Sequence, residues 1–132
     1  EARLTMVEIA SSPSIFFKDM EGTQLPIAVA HGEGYANFAE QGNKEKVLAS
    51  VRYVNNYGQI TETYPANPNG SPYGLAGVTR ADGRLSIMVP HPERGTRNVM
   101  MSWAPESWGV MDGGGDYTPW MRMFMNARVA LG

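Results

Sequence analysis

Residues 25–30, Leu-Pro-Ile-Ala-Val-Ala, are apolar at every position. A half-solvated strand alternates apolar and polar side chains. An unbroken run predicts a strand covered on both faces, as in α/β proteins. Such a strand needs partner elements on either side. The chain has 132 residues, of which 42% are hydrophobic, so it can form a real core as one domain or a large part of one.

Several other elements are legible. Residues 4–10 read as a strand with Thr5, Val7 and Ile9 on one face. Ser11 to Ser14 mark a turn, residues 43–50 a short helix, and residues 51–54 a further strand. Asn55-Asn56-Tyr57-Gly58 predicts a hairpin turn with residues 60–63 returning. Residues 64–73 hold three prolines, two asparagines and a glycine and read as a loop. Residues 75–79 and 85–89 flank Asp82-Gly83 as a second hairpin, and residues 109–115 form a glycine-rich loop. Thr118 then offers an N-cap and Pro119 a first helical residue, with Trp120, Phe124, Ala127 and Leu131 on one helical face.

Composition removes whole classes of function. The net charge of −2 and pI of 5.6 give no basic stripe for nucleic acid or an anionic membrane. No apolar run approaches the roughly 18 residues of a membrane span. With no cysteine there is no disulfide, thiolate metal site or cysteine nucleophile in the chain, and His31 and His91 are its only histidines. The opening Glu1-Ala2-Arg3-Leu4 carries no initiator methionine and no secretory signal, and enters a strand almost at once. We expect a fragment.

The chemistry concentrates in Val89-Pro90-His91-Pro92-Glu93-Arg94. Two prolines restrict φ around His91 and Glu93, and residues at i and i+2 of extended chain project to the same side. A carboxylate beside imidazole fixes its tautomer and orientation, the base-and-orienter half of a nucleophilic triad. From spacing alone, however, such a pair is more often a solvated surface feature than a catalytic one.

The same residues resemble the histidine–glutamate element of class I glutamine amidotransferases. Tyr64-Pro65-Ala66-Asn67-Pro68-Asn69-Gly70-Ser71-Pro72 is similar to a segment of the large, single-chain formylglycinamide ribonucleotide amidotransferases. So are His31-Gly32-Glu33-Gly34, Arg52-Tyr53-Val54, Thr61-Glu62-Thr63 and Pro119-Trp120-Met121-Arg122, in the family's order across essentially all 132 residues.

The resemblance implies the C-terminal portion of a flavodoxin-like α/β domain, with a mixed sheet and a C-terminal helix. It implies that His91 is the base that activates a cysteine thiol and Glu93 its orienter. Ala30, His31 and Gly32 fall where the family contacts bound glutamine, largely through backbone, and small residues allow that approach. Family members often carry Ser where this chain has Ala30. His31 is either a direct substrate contact or a turn residue with its ring in solvent.

The nucleophilic cysteine lies upstream in the family, so the fragment alone is expected to be inactive. It carries no cofactor of its own. ATP and magnesium belong to the family's separate synthetase domain, a partner of this one, and the setting is cytoplasmic. Two rivals remain: another class I amidotransferase, and a catalytically silent scaffold of the same fold.

Away from the pair, residues 67–72 read as a rigid loop braced by asparagine side chains rather than as catalytic machinery. Trp103, Trp108 and Trp120 read as packing or interface anchors. Met121, Met123 and Met125 alternate along the last helix, so at most part of that set faces one core. With much of the helical cover expected upstream, the isolated chain should self-associate.

Overall fold

A computed structural model of the chain describes residues 1–39, 46–105 and 116–132. Five strands form one sheet: β1 (Ala2–Ile9), β2 (Gln24–Ala30), β3 (Val47–Val54), β4 (Leu75–Arg80) and β5 (Ser86–Met88). Their order is β2-β1-β3-β4-β5, and every pairing is antiparallel. A single α-helix among the described residues, α1 (Trp120–Ala130), lies near the C-terminus. The parallel strands of a mixed sheet are not found among the described residues.

Register builds the core. Val7 lies opposite Leu25 and Tyr53, Thr5 opposite Ile27, and Ile9 opposite Val51. Residues directly opposite share a face of the sheet, so these side chains form one layer, apolar except for Thr5, whose hydroxyl donates to the Ala66 carbonyl. Phe17, Met20 and Trp120 are buried in the same cluster. The predicted face of Thr5, Val7 and Ile9 is therefore the core face.

The run at 25–30 is the edge strand β2. Leu25, Ile27 and Val29 face the core, and Pro26 is buried as well. Proline has no N–H to give a ladder, which suits an edge position. The outer edge of β2 is nevertheless covered. Its carbonyls at Pro26 and Ala28 accept hydrogen bonds from Trp120 and His91, so the strand is enclosed without a neighbouring parallel strand.

Further differences concern local elements. Residues 47–50 belong to β3 instead of a helix, and 43–45 lie outside the described residues, as do Trp108 and the loop 109–115. The β-branched and apolar residues of Val47–Val54 favour the pleated surface offered by β1 and β4. The predicted return strand at 60–63 is reduced to one bridge, Val54 with Ile60. The β4–β5 hairpin forms as predicted, and its turn needs Gly83. That residue has φ +70°, and a Cβ there would meet the Pro13 carbonyl oxygen at 1.9 Å.

Thr118 caps the helix through its hydroxyl, which accepts the Trp120 N–H at 3.2 Å, while Pro119 already has helical φ and ψ. The packed face differs from the predicted one. Trp120 is buried and Met123 packs on the core, whereas Phe124 is 40% exposed and Leu131 80% exposed. Asn126 explains the rotation: its amide donates to the Phe16 and Lys18 carbonyls at 3.0 and 2.9 Å.

Candidate active site

The sheet curls until its two edges meet at His91. β5 is the last strand in the order and β2 the first, yet three residues after β5 the chain pairs with β2. Val89 N–H donates to the Ala76 carbonyl at 3.0 Å, still on β4, and His91 N–H donates to the Ala28 carbonyl at 2.8 Å. Proline on each side of His91 confines φ, so the histidine backbone is fixed as it crosses this seam.

The turn Pro92–Gly95 then carries Glu93 back beside His91. His91 Nδ1 lies 2.8 Å from Glu93 Oε1, and His91 Nε2 lies 3.3 Å from the Ala30 carbonyl oxygen. With Nδ1 protonated toward Glu93, Nε2 carries the lone pair of a base. When the ring holds both protons, each nitrogen donates, one to Glu93 and the other to Ala30. The pair thus has a partner at both nitrogens in its charged form.

Exposure helps decide what the pair is for. The side chains of His91 and Glu93 are 32% and 56% exposed, and ion pairs so placed add only about 0–1 kcal/mol to stability. Orientation of the imidazole is the larger consequence. Arg94 Nε lies 3.9 Å from the same Glu93 oxygen, at the outer limit of an ion pair.

Of the other predicted site residues, Ala30 is brought to the pair through its carbonyl. His31 extends the β1–β2 ladder, its N–H donating to the Glu1 carbonyl at 3.0 Å. Its ring is not in solvent. Both ring nitrogens are buried and find no hydrogen-bond partner among the described residues. The imidazole lies over Gly34, where a Cβ would approach His31 Nε2 to 2.5 Å, so a larger residue there would push the ring aside. Gly32 is exposed, with open space where a side chain would be. Glu1, His31, Glu33, Tyr35, Asn37 and Asn69 border a cleft of about 440 Å³ next to this loop.

The asparagine loop is the rigid brace that its sequence predicts. Asn67 is fully buried; its amide donates to the Thr61 and Ser71 carbonyls and its oxygen accepts the Gly70 N–H. Asn69 donates to the Tyr53 hydroxyl at 3.2 Å, and burial pushes the Tyr53 phenol up to about 12. Ser71 Oγ accepts the Ala36 N–H at 3.0 Å, tying this loop to the segment that follows His31.

Two features near the site go beyond the sequence reading. Trp120 donates from Nε1 to the Pro26 carbonyl at 2.7 Å, two residues from the Ala28 carbonyl that receives His91. The Thr118 hydroxyl donates to the carbonyl of Gly95, the last residue of the Glu93 turn. Neither long-range contact has a local sequence signal.

Residues 1–129 match the family model of the CobB/CobQ-like glutamine amidotransferase domain. The chain belongs to that family. This amidotransferase chain is also similar in structure to a chain described as "Structure of PurLQS from Thermotoga maritima", with a TM-score of 0.64 and 22% sequence identity. The match covers 100% of this chain and 48% of the other, so the amidotransferase chain spans about half the length of that neighbour. At this identity the likeness establishes a shared fold.

Proposed function

We propose that this chain supplies the base and its orienter to the glutaminase site of a phosphoribosylformylglycinamidine synthase, within purine biosynthesis. The observation that carries the reading is the 2.8 Å contact between His91 Nδ1 and Glu93, held at the seam of the sheet in a glutamine amidotransferase family member. The order of the Asn67–Pro72, Thr61–Thr63 and Pro119–Arg122 motifs supports the formylglycinamide ribonucleotide enzyme among members of the family.

In this reading a cysteine from outside these residues supplies the nucleophile. His91 Nε2 takes the thiol proton, and sulfur attacks the glutamine carboxamide carbon. The carbon–nitrogen bond breaks as His91 returns the proton to departing ammonia, leaving a glutamyl thioester. His91 then deprotonates water, which attacks the thioester to release glutamate and regenerate the thiol. Glu93 keeps Nδ1 protonated throughout. Backbone groups at Ala30, His31 and Gly32 border the glutamine.

Ammonia passes to a separate synthetase domain, which uses ATP and magnesium, in a cytoplasmic enzyme. Among the described residues no group of three or more His, Cys, Asp or Glu is placed to hold a metal ion.

The reading predicts that the purified chain releases no glutamate from glutamine, because a thioester requires a thiol and the chain has no cysteine. Glutamate release that is abolished by His91→Ala in the isolated chain would overturn it.

A further inference from the structure

The Glu93 turn leads into a segment that is paired with the approach to α1. Thr118 N–H donates to the Thr96 carbonyl at 2.9 Å, Arg97 bridges Tyr117, and Asn98 N–H donates to the Asp116 carbonyl at 2.8 Å. Thr118 sits at the inner end of this ladder and is 3% exposed. Its hydroxyl serves two partners at once, donating to the Gly95 carbonyl and accepting the Trp120 N–H. Trp120 in turn grips the Pro26 carbonyl of β2, the strand whose next outward carbonyl anchors His91.

The start of α1 therefore holds both supports of the His91–Glu93 pair. One is the edge strand that fixes the histidine backbone, and the other is the end of the turn that carries the glutamate. The fit is close at Gly95, where a Cβ would come within 2.8 Å of Met101 Sδ and 3.7 Å of Trp120 Cδ1.

Resting on the proposed glutaminase reading, we propose that Thr118 is a positioning residue for this pair, acting through Gly95 to set where Glu93 meets His91. Without the hydroxyl the turn loses its buried anchor, and the carboxylate no longer holds the imidazole in the orientation that takes the thiol proton. Misplacement of about 1 Å at a reacting group costs up to roughly a hundredfold in rate, so a partial shift should be well measurable. Substrate contacts at residues 30–32 are untouched, so the loss falls on turnover rather than on binding.

The test is made in the full-length enzyme, with glutamine and ammonia as alternative nitrogen donors in one preparation. Thr118→Val, which replaces the hydroxyl by a methyl of similar size, should lower kcat with glutamine by about tenfold. KM for glutamine and the ammonia-dependent rate should stay within about twofold, and Thr118→Ser should restore turnover. Unchanged kcat, a rise in KM alone, failure of Thr118→Ser to rescue, or equal loss of both activities would overturn the assignment. Equal loss would make Thr118 a support of the whole fold. His91→Asn in the same assay separates the two claims: if it retains glutamine-dependent turnover, the glutaminase reading itself fails.

Discussion

His91 N–H donates to the Ala28 carbonyl at 2.8 Å, and this bond joins the two ends of the sheet. The candidate base thus sits where the curled sheet closes, on backbone that is held from both sides. Trp120 reads the preceding outward carbonyl of the same strand, at Pro26. Helix and histidine are registered against one edge.

This arrangement makes Trp120 a test of the packing account. Its indole is fully buried and bonded, so Trp120→Ala should destabilise the chain by about 3–5 kcal/mol through the cavity it leaves. Trp120→Phe, which removes the N–H and leaves the Pro26 carbonyl unpaired, should cost about 1–3 kcal/mol. Equilibrium denaturation of the purified variants measures both; a neutral Trp120→Phe would show that the Pro26 bond contributes little.

Tyr53 predicts an alkaline transition. Its phenol is pushed up to about 12 by burial, above the usual value of about 10, so folding favours the neutral form. The contribution is intact below about pH 10 and is lost as pH rises toward about 12, because the unfolded chain gives up the proton first. Tyr53→Phe should flatten the fall in stability across that window in pH-dependent denaturation. An unchanged slope would assign the alkaline loss to other groups.

The fully buried Asn67 side chain bonds three backbone groups, those of Thr61, Ser71 and Gly70. Asn67→Ala strands these groups, and a loss on the order of 3 kcal/mol is expected from unsatisfied buried backbone. Hydrogen exchange should also quicken at Ala36, whose N–H rests on Ser71. Rapid exchange at the Asn67 loop with Ala36 unaffected would show that the two segments are independent.

The second face of the sheet bears on assembly. Leu4, Met6, Pro26, Val54, Tyr57 and Trp103 border a cleft of about 400 Å³, with Leu4 39% and Trp103 59% exposed. The isolated chain is expected to self-associate through this face, and Leu4→Glu should shift it to monomer in sedimentation velocity over a dilution series. A wild-type monomer at every concentration would contradict the expectation.

Local pattern revealed much of this design, and long-range closure escaped it. The alternation of Thr5, Val7 and Ile9 marked the core face of β1, and Asp82-Gly83 marked a hairpin, because both signals lie within a few residues. The Pro-His-Pro-Glu order placed His91 beside Glu93 for the same reason. Strand order was different: an apolar run such as 25–30 reads alike whether its cover is a neighbouring strand or a tryptophan 94 residues away. The polar Asn126 likewise turned the helix from its predicted face through carbonyls more than a hundred residues distant.

The central claim, that His91 serves glutamine hydrolysis, is tested most directly by His91→Asn in the full-length enzyme. The side chain remains polar and of similar reach but cannot act as the base at neutral pH. Synthesis driven by glutamine should fall by about a hundredfold or more, while synthesis driven by added ammonia should stay close to wild type. Glutamine-dependent synthesis that persists in the variant, or an equal fall in both, would contradict the account.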